Sequence, residues 1–229
     1  MEKLGTTRKN LDSMIYERLK SMIIERKLVP GEKIYQDKLA YALGVSRTPL
    51  VSALKKLEHE KLITAIPRRG FYVRAFRKEE MVHIFELREV LEGLAARKAS
   101  MQISDAQIGK LKSFFKGLNI SSDPKDLRKY RAEDRRFHNF LLEVGGGELL
   151  SSILQTYNII TLGYQFVDQE GLVRPPMETI HEHRAIIDAI TNRDPVKAEE
   201  LARKHLKKSI DKMRREIEQQ ERRRSQGVA

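Results

Sequence analysis

The first third of the chain contains two kinds of hydrophobic pattern, one typical of helices and one typical of β-strands. Apolar residues recur three or four positions apart over residues 11–26, 36–43 and 46–57, a spacing that predicts three amphipathic helices. Residues 62–66 and 71–76 are instead rich in β-branched and aromatic side chains, which favour β-strands. Turn-forming residues separate these segments, so the predicted order is helix, helix, turn, helix and β-hairpin.

From residue 78 onward the strand signals stop and only the helical period remains. Breaks rich in glycine, proline and serine separate six predicted helices, at residues 78–100, 104–118, 126–145, 147–167, 176–192 and 194–222. Helices joined by short connections pack as an antiparallel bundle. We therefore expect a mainly α protein with two domains, residues 1–77 and 78–229, joined without a flexible linker.

The composition narrows the class of protein further. The chain has 229 residues, of which 40% are hydrophobic, enough to bury a core. It contains no cysteine, which excludes disulfides, thiolate zinc sites and cysteine nucleophiles. No apolar run reaches the roughly 18 residues that cross a bilayer, and the first residues lack the apolar segment of a signal peptide. We expect a cytoplasmic protein without a membrane partner.

The net charge of +12 is concentrated at one end of the chain. Residues 1–78 contain 18 Lys and Arg against 8 Asp and Glu, whereas residues 79–229 contain 26 against 24. A basic module followed by a nearly neutral one is typical of a nucleic-acid-binding domain attached to a domain with another role. On charge alone, a solvated basic surface explains the asymmetry equally well.

The turn between the second and third predicted helices indicates a DNA-reading motif. Two short helices joined by a tight glycine turn, here residues 43–46, form a helix-turn-helix. The helix after the turn begins with an arginine, the commonest bidentate reader of guanine, and its N-terminal N–H groups favour phosphate. The arginines of the hairpin tip can reach an adjacent minor groove or the DNA backbone. The predicted DNA contacts are Ser46, Arg47, Thr48, Arg68, Arg69 and Gly70, the last of which permits the tight turn.

On three helices of the second domain, polar residues fall on otherwise apolar faces. Asp134 and His138 are one turn apart and share the inward face of their helix. His183 and His205 lie on the inward faces of two further helices, whereas His181 points elsewhere. One inward histidine is usually a hydrogen-bonded core residue, and a buried carboxylate needs a partner or a metal. Together the four residues predict one divalent metal ion, Zn²⁺ or Ni²⁺ being most suitable, with open positions for water or an effector oxygen.

Arg88 is a further polar residue on an apolar face, that of Ile84, Phe85, Leu91 and Ala95. A buried guanidinium requires an anionic partner. Two alternatives remain open from the sequence. The partner is an internal acid such as Glu92 or Asp134, or it is the carboxylate of an effector that also binds the metal.

The N-terminal motifs resemble a known family. The matching residues are Leu39-Ala40, Leu43-Gly44-Val45-Ser46-Arg47-Thr48-Pro49, Ala53-Leu54, Leu57, Leu62-Ile63 and Arg69-Gly70-Phe71-Tyr72-Val73. They resemble the winged-helix domain of GntR-type regulators. This resemblance implies that Arg47 reads a base and that Ser46 and Thr48 contact phosphate. It also implies that the tip at Gly70 enters the minor groove.

One departure from the family pattern affects the expected operator. The family usually has Arg followed by Glu before the Ala-Leu pair, whereas this chain has Val51 and Ser52. A common second DNA contact is therefore missing, and Lys55 or Lys56 is left to compensate.

The second domain resembles the FCD effector domain of the FadR branch of the same family. The matching residues are Glu86-Leu87-Arg88, Leu91-Glu92, Ala95-Ala96-Arg97, Asp134, Phe137-His138, Glu182-His183, Ala189-Ile190, Asp194, Ala198 and His205-Leu206. Metal-binding members of the family use one Asp and three His at these places, which implies the same four ligands as above. The six-helix count is similar to the VanR-type version of the domain.

Three functions are compatible with some or all of these features. The first is a transcriptional regulator, in this family most often a repressor, in which a small carboxylate bound between the metal and Arg88 alters the affinity of a homodimer for a near-palindromic operator. The second is a metal-dependent hydrolase with an appended DNA-binding module, which lacks an evident general base. The third, an architectural DNA binder, leaves the helical domain unexplained. We therefore predict a regulator and not an enzyme, whose second domain binds effector and metal and forms the dimer.

Overall fold

The computed structural model describes residues 6–118, 124–165, 173–225 and 227. The chain divides into two compact units, Met1–Phe76 and Arg77–Ala229. The first contains α1 (Thr6–Ile24), α2 (Gln36–Leu43), α3 (Arg47–His59), β1 (Ile63–Ile66) and β2 (Gly70–Val73). The second contains α4 (Lys78–Gln102), α5 (Asp105–Leu111), α6 (Pro124–Gln165), α7 (Pro176–Thr191) and α8 (Pro195–Ser225). The predicted mainly α fold, with a small winged unit followed by a helical unit, is confirmed.

The core of the first unit lies between α1 and α3. Leu19 of α1 and the three leucines of α3, Leu50, Leu54 and Leu57, are completely buried. Burial of a leucine side chain contributes roughly 1.5–3 kcal/mol, so the helical spacing of these residues determines which face of α3 points inward. The opposite face is left to solvent.

The turn between α2 and α3 forms as the sequence predicts. Gly44 adopts φ 65°, the left-handed region that favours glycine, and its N–H donates to the carbonyl of Tyr41 at 3.1 Å. Ser46 occupies the N-cap position of α3 with extended backbone angles, but its side chain makes no capping hydrogen bond. Although serine at this position usually caps a helix with its hydroxyl, Ser46 is instead exposed to solvent.

The hairpin is shorter than the sequence suggested. β1 and β2 pair antiparallel from Ile63 opposite Val73 to Ile66 opposite Gly70, so residues 74–76 lie outside the strand. Two residues of the tip are left-handed, Arg68 at φ 63° and Gly70 at φ 96°. Glycine therefore avoids backbone strain at only one of these two positions, because Arg68 also adopts a conformation that L-residues disfavour.

The helical unit follows the predicted periodicity with one error. The helix predicted over residues 104–118 ends at Leu111, and residues 112–117 form successive turns. Phe114 and Phe115 are buried from these turns, the latter at φ 60°. Their apolar side chains produced a helical signal, although the core is reached here by a loop.

A glycine run shapes the long helix α6. Gly147, at φ 66° and ψ −174°, interrupts the helical geometry, so α6 consists of two helical segments, as the predicted break at residues 145–147 requires. Gly145 lies against α4 so closely that a Cβ atom there would be 1.8 Å from the carbonyl oxygen of Ala95. Only glycine allows this approach of the two helices.

No helix within the described ranges is both long enough and apolar enough to span a bilayer.

Candidate functional site

Three helices of the second unit each contribute one buried histidine to a common point. His138 of α6, His183 of α7 and His205 of α8 offer ring nitrogens that all lie within 4.8 Å of one another. The Nε2 atoms of His183 and His205 are 3.2 Å apart. His183 is fully buried, and the other two are almost so.

Asp134 lies beside this cluster, one helical turn before His138. Its Oδ1 atom is 3.6 Å from Nε2 of His183 and 3.8 Å from Nε2 of His138. The hydroxyl of Tyr130 donates to the same oxygen at 3.1 Å. Burial raises the pKa of Tyr130, as does the charge of Asp134, so the phenol stays protonated and serves as a donor. The four residues singled out in the sequence thus lie together.

Two carboxylates, one buried and one half-buried, each hydrogen-bond the Nδ1 side of an imidazole ring. The Nδ1 atom of His138 lies 2.6 Å from Oε2 of Glu92, and Nδ1 of His205 lies 2.8 Å from Oε2 of Glu182. Because a carboxylate only accepts, each Nδ1 carries the proton, which leaves the Nε2 lone pair directed toward the cluster. This is the arrangement that orients histidine ligands in metal sites.

The third histidine is held by packing instead. The ring of His183 stacks on Phe115, with centroids 4.7 Å apart and planes inclined by 15°. Its Nδ1 atom is buried without a hydrogen-bond partner among the described residues. Burial lowers the pKa of His183 well below its usual value, and the nearby His205 and His138 lower it further. His183 is therefore neutral at pH 7 and available as a ligand.

The protonation states of the surrounding groups are compatible with a bound cation. Burial also lowers the pKa of His205, only partly offset by the hydrogen bond to Glu182. Burial would raise the pKa of Glu92, but the charge of Arg88 and the hydrogen bonds from His138 and Arg88 outweigh it and hold the pKa well below its usual value. The Nε2 atoms of His183 and His205 are close enough either to share one proton in a hydrogen bond or to bind a common cation in its place. The donor set of three nitrogens and one oxygen suits a divalent metal ion.

Arg88 lies next to the histidine cluster and is paired internally. Its Nε atom donates to Oε1 of Glu92 at 2.6 Å, and both side chains are almost fully buried. One of the two alternatives left open by the sequence, the internal acid Glu92, is therefore present. Glu92 is also the anchor of His138, a second role that the sequence analysis missed although its position one turn after Arg88 placed it on the same face.

A small pocket connects these groups. Its cavity volume is about 30 Å³, room for a few water-sized groups. The polar residues lining it include Arg88, Tyr130, Asp134, His138, Arg174 and His205. Two arginines thus line the same pocket as three of the four candidate metal ligands, Asp134, His138 and His205.

Arg174 and Glu182 are functional candidates that the sequence did not reveal. Both terminal nitrogens of Arg174 contact the carboxylate of Glu182, and its Nε donates to Oγ of Ser209 at 3.0 Å. Arg174 lies between the helices predicted at residues 147–167 and 176–192, in a connection where an arginine is normally exposed. Glu182 points away from His183 along its own helix, but toward His205 on the neighbouring one. The local sequence around Arg174 and Glu182 does not predict that these two side chains contact each other.

In the first unit, the predicted DNA contacts lie on one exposed helix end and one exposed turn. Ser46, Arg47 and Thr48 are solvent-exposed at the start of α3. Arg68 and Arg69 are exposed between β1 and β2, and Gly70 is half-buried as the first residue of β2. The Nε atom of Arg47 lies 3.2 Å from Oδ1 of Asp37 in the first turn of α2.

The residues that depart from the family pattern have a structural explanation. The hydroxyl of Ser52 donates to Oδ2 of Asp12 at 2.9 Å and thereby connects α3 with α1. Val51 is half-buried, whereas Lys55 and Lys56 are exposed one turn further along α3. That one of these lysines replaces the missing basic contact stays a prediction.

The comparisons with known proteins agree with this architecture. The family described as bacterial regulatory proteins of the gntR family matches residues 11–73, and the FCD domain family matches residues 83–208. The chain belongs to the GntR family. Its second unit is an FCD domain, so the protein is a transcriptional regulator with a helix-turn-helix domain and not an enzyme.

Relatives of similar length share both units. An uncharacterised HTH-type transcriptional regulator of Streptomyces ambofaciens is 26% identical, over 88% of this chain and 84% of its own length. The HTH-type transcriptional repressor RspR of Escherichia coli is 24% identical, over 89% of both chains. Among solved structures, E. coli McbR/YncC superposes with a TM-score of 0.74 at 19% identity, covering 90% of this chain and 98% of its own. At that identity the superposition supports the fold alone.

Proposed function

We propose that this GntR-family regulator is a repressor whose affinity for its operator is controlled by a small carboxylate that binds at a metal site in the FCD domain. The observation that carries this proposal is the convergence of the Nε2 atoms of His183 and His205 and Oδ1 of Asp134 beside two pocket-lining arginines. The E. coli relative named a transcriptional repressor supports the direction of the control.

The metal ligands in this proposal are Asp134, His138, His183 and His205. One divalent ion per chain, Zn²⁺ or Ni²⁺, supplies a Lewis-acidic centre that accepts an oxygen of the effector. Glu92 and Glu182 keep two of the histidines in the tautomer that coordinates through Nε2. The burial of the three histidines, together with the partial burial of Asp134, limits the access of competing water.

The charge and size of the pocket favour a small anion. Arg88 and Arg174 both line it, and a bound cation adds further positive charge. A carboxylate supplies two oxygens, of which one suits the metal and the other a guanidinium. The cavity of about 30 Å³ favours an acid of few carbon atoms.

The first unit supplies the DNA-reading surface. In this proposal Arg47 reads a guanine in the major groove, and Ser46 and Thr48 contact phosphate beside it. The exposed tip with Arg68 and Arg69 then reaches the minor groove or the backbone. One recognition helix contacts too few bases for an operator, so a homodimer on a near-palindromic site completes the reading.

The helical unit offers a surface for that dimer. Leu87, Val90, Leu94 and Met101 are exposed at 48%, 51%, 39% and 65%, and their spacing places them along one side of α4. An exposed apolar stripe of this length is typical of an interface. A second copy of the chain is the occupant that a two-fold operator requires.

The test combines metal analysis with operator binding. Protein purified without chelator is expected to carry about one divalent ion per chain, and small carboxylic acids are expected to change the affinity for an operator selected from random DNA. Arg88→Lys keeps the buried charge, so the variant should fold. It removes the planar guanidinium that can bind a carboxylate through two nitrogens, so the variant should bind the acid more weakly. The proposal fails if an acid that alters DNA affinity binds the chelator-treated protein and Arg88→Lys as tightly as the wild type.

A further inference from the structure

One acidic side chain lies within the otherwise basic reading surface. Between residues 33 and 57, Asp37 is the only Asp or Glu, among five Lys and Arg residues. A carboxylate that faces phosphate weakens the general attraction between protein and DNA. Asp37 therefore lowers the general affinity for DNA, and a second role would explain its presence on this surface.

The geometry indicates what that role is. Asp37 belongs to the first turn of α2 and Arg47 is the first residue of α3, and the turn at Gly44 brings the two helix starts together. The contact joins Oδ1 of Asp37 to Nε of Arg47 at 3.2 Å, while both side chains are mostly exposed, at 77% and 64%. This ion pair connects the start of the recognition helix with the start of the helix before it.

We propose that Asp37 is a specificity-determining residue, whose ion pair with Arg47 restricts the guanidinium to an orientation that reads a guanine. This inference rests on the proposed role of Arg47 as a base reader. Guanine presents the O6 and N7 acceptors side by side in the major groove, which the two terminal amino groups of an arginine match. An arginine held in advance loses less side-chain freedom on binding.

The same carboxylate acts against the wrong mode of binding. An unrestrained arginine at a helix start also binds phosphate, which is present at every sequence. Asp37 repels a phosphate that approaches Arg47, whereas the neutral acceptor edge of a guanine meets little repulsion. Both effects increase the ratio of operator affinity to non-specific affinity, although the total affinity falls.

The experiment compares four full-length variants with the wild type. Asp37→Asn removes the charge at nearly constant size, and Glu17→Gln is the matched control, since Glu17 is an exposed acid on α1 of the same unit. Arg47→Ala and the double variant Asp37→Asn/Arg47→Ala complete a cycle. Each is titrated at several salt concentrations with a wild-type-selected operator, with that operator carrying a substitution of the guanine read by Arg47, and with unrelated duplex DNA.

Asp37→Asn is expected to bind unrelated DNA more tightly while its discrimination at the substituted guanine falls about two- to five-fold, the range of an exposed ion pair. In the Arg47→Ala background, the same substitution should still raise the affinity for all three DNAs but leave the discrimination unchanged. Glu17→Gln should leave the discrimination unchanged as well.

Two different failures can be told apart. If Arg47→Ala relaxes the discrimination but Asp37→Asn changes the affinity for the three DNAs equally, Asp37 is a charge without a positioning role and the inference is wrong. If Arg47→Ala itself leaves the discrimination intact, the assignment of Arg47 as base reader is wrong, and the proposed reading of DNA fails with it.

Discussion

The two units place their candidate functional residues in opposite environments. In the winged unit, Arg47, Arg68 and Arg69 are exposed, and Arg47 pairs with the exposed Asp37. In the helical unit, His138, His183 and His205 are buried among partners from several helices. The stability of the first unit is therefore separable from its function, because a surface side chain can be removed without disturbing the leucine core. In the second unit the same polar network supports both, so that a substitution there affects folding and binding together.

The largest effect is expected at Glu92, the carboxylate shared by Arg88 and His138. Glu92→Ala leaves a buried guanidinium without this partner, which typically lowers the free energy of unfolding by about 3–5 kcal/mol. Urea unfolding of the metal-free protein, followed by circular dichroism, measures this change. The double variant Arg88→Met/Glu92→Gln removes both charges and keeps an acceptor for His138, so it should recover most of the loss. A Glu92→Ala protein as stable as the wild type would show that the network carries no folding energy.

The metal should couple folding to binding in the second unit. A ligand at one hundred times its Kd stabilises the native state by about 2.7 kcal/mol, so Zn²⁺ or Ni²⁺ is expected to raise the Tm of chelator-treated wild type. His138→Ala and His183→Ala should lose this increase, because each removes one of four ligands. His181→Ala is the matched control, since His181 is exposed one position from Glu182. Native mass spectrometry counts the bound ions, and equal loading of wild type and a His138→Ala/His183→Ala variant contradicts the site.

The sequence predicted the faces of helices better than the contacts between them. The period of α6, α7 and α8 placed the three histidines inward, because burial of the apolar stripe determines how each helix is oriented. The partners Glu182 and Arg174 were missed, since their contacts depend on which turn of α7 lies opposite which turn of α8. That register results from side-chain packing across the bundle and has no local signal.

The remaining errors also arise where tertiary packing overrides a local pattern. Phe114 and Phe115 stand three and four positions after Leu111, which is the spacing of a helical apolar face. They nevertheless enter the core from the turns that follow Leu111. The hairpin stops at Val73 although residues 74–76 include further aromatic and apolar positions. In both cases the sequence identified residues that favour burial or strand structure, but not the element in which they lie.

In the winged unit, removal of a base-reading side chain should affect DNA binding alone. Arg47→Ala is expected to lower specific affinity by about 1–3 kcal/mol and to relax discrimination at one guanine per half-site, while the urea midpoint stays unchanged. Arg68→Ala or Arg69→Ala should instead weaken binding to all sequences alike and reduce the salt slope by about one. Fluorescence anisotropy at several salt concentrations separates the two patterns. An equal loss on all DNA for Arg47→Ala would contradict its role as a base reader.

The smallest effect provides the sharpest contrast, because the same substitution can be made at the start of a helix in each unit. Ser46 precedes α3 without a side-chain capping hydrogen bond, whereas the hydroxyl of Ser104 accepts from the backbone N–H of Gln107 at the start of α5. Loss of a capping serine usually lowers stability by about 1 kcal/mol. Ser104→Ala should therefore lower the free energy of unfolding by about that amount and leave DNA affinity unchanged. Ser46→Ala should change stability by less than about 0.5 kcal/mol, the range of an ordinary surface substitution, and weaken binding to all DNA through the loss of a phosphate contact. Chemical unfolding and DNA titration of the two variants decide the matter. If Ser46→Ala destabilises the protein as much as Ser104→Ala and leaves DNA affinity intact, its hydroxyl serves the helix and not the DNA.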